Sequence, residues 1–160
     1  MNEQKRIPLS DGARYVIESL EAAGYRAYAV GGCVRDALLG STPSDYDVTT
    51  SALPYEVCGV FTADTVIPTG IKHGTVTVLA CGEPIEVTTF RIDGSYTDRR
   101  KPDSVRFCRT LGEDLSRRDF TIGAIAYSER EGIIDPYGGR ADIEKRVIRC
   151  VGDPHARLSE

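Results

Sequence analysis

The residues best able to do chemistry gather early in the chain, in Ala29-Val-Gly-Gly-Cys-Val-Arg-Asp-Ala-Leu-Leu-Gly40 and, after Ser-Thr-Pro-Ser, in Asp45-Tyr-Asp47. Gly31 and Gly32 can take backbone angles that other residues resist, and they let a phosphate approach the main chain closely. Arg35 stands where the following helix is expected to begin, a location suited to an anion. Side chains alternate along a strand, so Asp45 and Asp47 project from one face and can share a cation. Glu86 lies between apolar Ile85 and Val87 and points away from their side of the sheet. If its strand lies beside the aspartates, three carboxylates converge. Clustered acids repel one another unless a cation neutralises them, and hard oxygen ligands favour Mg2+ or Mn2+. A pair of such ions activates an attacking hydroxyl and stabilises a departing pyrophosphate, so the chemistry on offer is phosphoryl transfer.

Each feature also has a plainer meaning when read alone. A glycine pair commonly marks a tight turn, and two acids near a loop are commonly solvated. The glycines are not a dinucleotide fingerprint, because the third glycine is missing, and they are not a P-loop, because no Gly-Lys-Ser/Thr follows. Arg117-Arg118 falls on a predicted helix, where neighbours point about 100° apart, so at most one aims at a ligand. A solvated basic face is the alternative there. His73 and His155 are isolated, and neither is assigned a metal.

The elements that must position these groups follow from periodicity. Ser10 caps a helix that runs to Gly24, with Ala13, Val16, Ile17 and Leu20 at helical spacing. Tyr25–Val30 is the first strand, Cys33–Leu39 a short helix, and Asp45–Thr50 the strand of the aspartates. A helix over Tyr55–Phe61 has Pro54 near its first turn. Thr65–Ile67 reads as a short edge strand ended by Pro68. Thr75–Ala80 and Ile85–Arg91 alternate and are close enough to form an antiparallel hairpin. Asp93–Ser104 is a polar loop with no periodicity. Asp114–Ser128 is predicted as helix, Gly132–Gly139 as a brief strand and turn, Ala141–Arg146 as a helical turn and Val147–Val151 as a last strand. Pro154–Glu160 reads as the start of another helix.

Composition narrows the class. At 160 residues, 41% hydrophobic and 28% charged, the chain suits one globular domain rather than a disordered or membrane protein. It has no apolar run of the roughly 20 residues that span a bilayer. The N-terminus lacks a signal-peptide core, and five scattered cysteines without Cys-x-x-Cys spacing suggest reduced thiols and a cytoplasmic location. Residues 1–90 carry 6 Lys/Arg against 11 Asp/Glu, while residues 91–150 carry 13 against 11. The acids thus concentrate in the half with the aspartate pair, and the downstream basic excess is too small to mark a nucleic-acid footprint.

Six ordered motifs carry a resemblance to a known family. They are Gly31-Gly-Cys-Val-Arg-Asp-Ala-Leu-Leu-Gly40, Asp45-Tyr-Asp-Val-Thr-Thr-Ser-Ala52, Lys72-His-Gly-Thr-Val-Thr-Val78, Glu86-Val-Thr-Thr-Phe-Arg91, Arg117-Arg-Asp-Phe-Thr-Ile122 and Asp135-Pro-Tyr-Gly-Gly-Arg-Ala-Asp-Ile143. From about Gly24 to Glu160 the chain resembles the class II CCA-adding tRNA nucleotidyltransferases and bacterial poly(A) polymerases, in the DNA polymerase beta superfamily. The resemblance implies an α/β (α+β) polymerase-beta-like head, with a mixed sheet of about five strands flanked by helices. It implies template-independent transfer of CMP and AMP from CTP and ATP to the 3′ end of tRNA. Asp45 and Asp47 would bind Mg2+, Glu86 would be the third catalytic carboxylate, and Gly31, Gly32, Arg35 and Arg118 would contact nucleotide phosphates. The polar loop from Asp93 to Pro102 would help position the nucleotide.

Two departures bear on this. Gly123 stands where the family has Asn, which on a helix would cost roughly 1 kcal/mol relative to Ala. The chain also ends at Glu160, where the family continues into a neck helix that chooses C or A and into domains that grip tRNA. Residues 1–160 are therefore expected to be a head domain, truncated at the start of the neck. A poly(A) polymerase or a CC- or A-adding variant is the alternative within the class. A catalytically weak nucleotide-binding module is the alternative outside it.

Overall fold

The structure, a computed structural model, describes residues 5–93 and 105–152. Its elements in chain order are α1 (Asp11–Ala22), β1 (Ala27–Val30), α2 (Gly32–Leu38), β2 (Asp47–Thr50), α3 (Pro54–Val60), β3 (Thr65–Gly70), β4 (Thr75–Ala80) and β5 (Glu83–Thr89). There follow β6 (Arg91–Asp93), β7 (Val105–Phe107), α4 (Leu111–Ser116), β8 (Ala126–Ser128), β9 (Gly132–Ile134) and α5 (Gly139–Lys145). Short 3-10 turns occupy Ile71–His73 and Thr121–Gly123. No described helix is long and apolar enough to cross a membrane.

The mixed α/β class expected from the sequence is found, with seven strands in the main sheet rather than about five. Their order is β3-β4-β5-β2-β1-β8-β9, and β6 and β7 form a separate ribbon. Only β2 and β5 pair in parallel; the other main-sheet pairs are antiparallel. The expected β4–β5 hairpin forms, with Ala80 paired to Glu83 around a two-residue Cys81-Gly82 turn. Both turn residues have positive φ, 51° and 76°, the form whose twist matches paired strands. β3 runs past Pro68, which an edge strand tolerates because its outer N–H has no partner to lose.

Alternation divides the sheet into two unlike faces. Val48, Val76, Val78, Ile85 and Val87 pack with Val16, Ile17 and Leu20 of α1 and Val57 of α3 into the main core. Ser10 starts α1 as predicted, its Oγ accepting from the Ala13 N–H at 3.2 Å. The opposite face is apolar only toward β1 and β8, where Tyr28, Val30 and Ala126 meet Leu111 and Leu115 of α4. Over β2, β5 and β4 that face carries Asp47, Thr49, Glu86, Thr88, Thr75 and Thr77 instead.

Two sequence expectations fail here. Asp114–Ser128 is not one helix: α4 ends at Ser116, Phe120 is extended (φ −122°, ψ 149°), and Ala126–Ser128 is a strand. Ala124-Ile-Ala-Tyr127 is an apolar run buried on both sides, and such a run reads equally as helix or central strand. Val147–Val151 is not a strand either. It makes one isolated bridge, Phe120 to Cys150, framed by Thr121 N–H to Arg149 O and Val151 N–H to Asp119 O, each 2.9 Å. The extended partner is only a few residues long, so no ladder can propagate. The polar loop falls largely outside the described residues, as does the helix start at Pro154–Glu160.

These corrections change the meaning of Gly123, which lies in a 3-10 turn with open space around it rather than in an α-helix. Gly123→Ala should therefore stabilise the chain by about 0.4–1 kcal/mol, through the unfolded state. Gly139→Ala should do the reverse, by about 1–3 kcal/mol, because its methyl would collide with the Thr121 carbonyl and Ile125. Denaturant titration of both variants checks the pair, and a destabilised Gly123→Ala would contradict the open turn.

Candidate active site

The parallel β2–β5 pairing sets Asp47 opposite Glu86, so the two carboxylates stand side by side on one face. Asp45 precedes the strand rather than lying in it, since β2 begins at Asp47. Tyr46 between them is buried, and its hydroxyl donates to the Pro8 carbonyl at 3.4 Å. With that ring anchored in the main core, both aspartates are left to the other side. Asp45, Asp47 and Glu86 line one open cavity of about 410 Å3, together with Tyr46, Thr77 and Pro84.

The glycine pair lies one strand away, on the far side of Asp47 from Glu86. Val30, the last residue of β1, pairs with Asp47, and Gly31 follows it. Gly31 has φ 78° and ψ −133°, a conformation that essentially only glycine adopts. Its carbonyl accepts from Val34 and Arg35 N–H, which starts α2. Arg35 is in the last turn of that seven-residue helix, not at its beginning as expected. Its guanidinium nevertheless folds back, and a methyl group on Gly32 would lie 3.4 Å from Nη2. Asp36 holds it there, Nε donating to Oδ1 at 3.1 Å.

Arg117 caps α4, and Arg118 lies just beyond it, so a helical face does not determine their aim. Arg118 reaches toward the glycines, where a methyl on Gly31 would be 3.4 Å from its Nη1. Asp114 positions it, and sequence reasoning missed that residue. Its carboxylate is fully buried, accepting from Thr49 Oγ1 at 3.1 Å and from the Arg91 N–H at 3.0 Å. It also pairs with Arg117 Nε at 3.4 Å and Arg118 Nη2 at 3.5 Å. A Thr110-x-x-Glu113 cap marks the helix in sequence, but nothing marks Asp114 as its buried acid.

The electrostatics match this layout. The Asp47 surface is open to solvent on one side, yet burial of its carboxyl and the charge of Glu86 push its pKa up. Arg118 opposes that shift and Asp45 adds to it. Burial and neighbouring Arg117 push Arg118 down, while Asp114 and Asp47 pull it back, and a guanidinium remains charged throughout. Among the described residues, buried Arg118 Nε has no hydrogen-bond partner. Cys33, beside the glycines, is buried with its thiol pushed up, so it packs rather than reacts. All five cysteines are free.

The donor set fits a hard divalent cation of a particular kind. Among the described residues no group of three or more His, Cys, Asp or Glu is placed to hold a metal ion, so Asp45, Asp47 and Glu86 share a cavity without converging as the three-carboxylate group expected from the sequence. Mg2+ does not require such a group, because it is commonly held by one or two carboxylates with water and substrate phosphates. Burial and the charge of Glu86 make ionisation of Asp47 costlier in the folded chain than in the unfolded one, so its charge lowers stability above the raised pKa and costs nothing below the ordinary carboxylate range. Asp47→Asn should raise the Tm of the metal-free chain at pH ~7, with the gain vanishing toward pH ~4. Millimolar Mg2+ should raise the Tm of the unsubstituted chain and leave Asp47→Asn unmoved. Thermal scans across pH check both, and an Asn variant with lower Tm at neutral pH would contradict the assigned repulsion.

Comparison with known proteins agrees with this fold. The poly A polymerase head domain family matches residues 27–149. The CCA-adding enzyme of Geobacillus thermodenitrificans is 55% identical over 145 residues, 91% of this chain and 35% of that protein. The Bacillus stearothermophilus CCA-adding enzyme, solved in complex with CTP, has a TM-score of 0.82 at 49% identity, over 92% of this chain and 35% of that one. A tRNA nucleotidyltransferase solved with a primer tRNA and an incoming ATP analogue gives 0.66 at 31% identity, over 86% and 39%. The chain thus spans about a third of the length of these relatives. A mixed sheet with paired acids beside a glycine turn, matched over most of its length, places the chain in the poly A polymerase head domain family.

Proposed function

We propose that this chain is the catalytic head of a template-independent nucleotidyltransferase that adds CMP and AMP, from CTP and ATP, to the 3′ end of tRNA. The observation that carries the reading is the order of groups across the sheet: Glu86, then Asp47, then the Gly31–Arg118 approach. Relatives named as CCA-adding enzymes support tRNA as the acceptor over a poly(A) product. Residues 1–160 cover about a third of the CCA-adding relatives and are assigned to the part that matches their head domain. Free cysteines suit a reducing, cytoplasmic setting.

In this reading Gly31 and Gly32 let the triphosphate lie against the main chain, while Arg35 and Arg118 neutralise it. Asp45 and Asp47 hold Mg2+, or Mn2+, which when bound supplies positive charge to acidify the attacking hydroxyl and stabilise pyrophosphate. Glu86 adds the third negative charge and orients the acceptor hydroxyl beside Asp47. The 3′-oxygen forms a bond to the α-phosphorus, the bond to the bridging oxygen of the β-phosphate breaks, and the hydroxyl proton leaves to solvent. Asp114 acts through Arg118, as a positioning residue.

Gly123 lies in a 3-10 turn with open space around it, so its helix cost does not apply, while the side-chain amide expected there from the family is still absent. The test uses the intact longer protein, a tRNA lacking its terminal CCA, and labelled CTP and ATP. Asp45→Ala with Asp47→Ala should lower Mg2+-dependent incorporation about a hundredfold or more. Arg118→Ala should raise KM for CTP and ATP alike, by about tenfold. Incorporation that survives loss of both aspartates would overturn the assigned site.

A further inference from the structure

The pairing registers define a single row across the whole sheet, Ile67–Thr77–Glu86–Asp47–Val30–Ala126–Ile134. The anion-binding groups lie on the Val30 side of Asp47, because Gly31 follows Val30. Displacement at phosphorus proceeds in line, with the entering and leaving oxygens on opposite sides of the α-phosphorus. If pyrophosphate leaves toward Gly31 and Arg118, the attacking oxygen comes from the Glu86 side. The surface beyond Glu86 is therefore where an acceptor must rest.

That surface has an unusual make-up. The solvent face of an antiparallel edge is normally polar or charged. Here, next to Thr77, Ile67 is 40% exposed and Leu79 is 39% exposed. Leu79 pairs with Pro84, which is also exposed and lines the carboxylate cavity with Thr77 and Glu86. Beyond Glu86 these positions carry no charge. A phosphodiester contact would call for Lys or Arg, whereas an uncharged aliphatic strip offers van der Waals contact of the kind a sugar edge or base face can make. With strands about 4.8 Å apart, Thr77 is roughly 10 Å and Ile67 roughly 14 Å from Asp47. That span suits a nucleoside whose 3′-oxygen is at Glu86.

We propose that the strip formed by Thr77, Leu79, Pro84 and Ile67 seats the 3′-terminal nucleoside of the RNA acceptor, holding it by apolar contact rather than by reading base edges. The proposal rests on the nucleotidyltransferase reading of the same site and adds the side from which the acceptor enters. It makes the strip tolerant of the terminal base, as a surface must be when the end of its substrate changes with each addition.

The test uses the intact protein and a tRNA acceptor carrying a photoreactive 4-thiouridine at its 3′ end. The cross-link should fall on the peptides of β3, β4 or the start of β5. Leu79→Ser and Ile67→Ser should each raise KM for acceptor about tenfold, leaving the Kd for CTP with Mg2+ within twofold. Leu79→Met should restore acceptor KM, which separates contact from misfolding. Acceptor KM unchanged in both serine variants, with the cross-link elsewhere, would overturn the strip. A rise in CTP Kd instead of acceptor KM would also overturn it, by assigning the surface to the incoming nucleotide. Cross-linking through β4 without any nucleotide transfer would keep the strip and sink the enzymatic reading.

Discussion

The Asp114 carboxylate, fully buried under the polar face of the sheet, is the constraint on which the site depends. A buried charge is tolerated only when it is paired and hydrogen-bonded. Here its partners come from three directions: Thr49 from β2, the Arg91 backbone from the start of β6, and Arg117 and Arg118 from the end of α4. Satisfying one acid therefore fixes a strand, a ribbon and a helix end against one another. It also sets Arg118 near Gly31.

The second constraint is repulsion. Asp47 and Glu86 are brought together by strand register, and their charges make that arrangement unfavourable until something positive joins them. Arg118 relieves part of this, from the side of the glycines. The fold does not relax the remainder by moving the acids apart, because Val48 and Val87, the next residues along the same pair, are locked in the main core. Apolar packing on one face thus maintains electrostatic tension on the other. Similar tension recurs in sites that bind and release a cation as part of their work.

Much of this was legible in the sequence, for local reasons. Ser10, the alternation of β4 and β5, and the placement of Glu86 opposite its apolar neighbours follow from periodicity and capping, which are short-range signals. Asp47 and Glu86 could be named because acids on the polar phase of a strand stand out, and Asp45 because it is spaced two residues from Asp47. Asp114 could not, because its meaning comes from Thr49 and Arg91, which are remote in sequence. The stretch from Asp119 to Ser128 was misread as helix for a related reason: its backbone is set by pairing with Arg149 and Val151. Arg35 was expected at the start of its helix and lies in the last turn, from which its long side chain returns to the turn before it.

The lone parallel pairing in the sheet has a kinetic consequence. Asp47 and Glu86 become neighbours only when the whole segment from Ser51 to Gly82, carrying α3, β3 and β4, has been laid over the core as a crossover. The β4–β5 hairpin needs only its two-residue turn and can form early, whereas the β2–β5 junction must first meet the entropy of closing that long loop. The acids therefore meet after most of the sheet is in place. A partly folded chain carries every residue of the carboxylate cavity without the cavity itself.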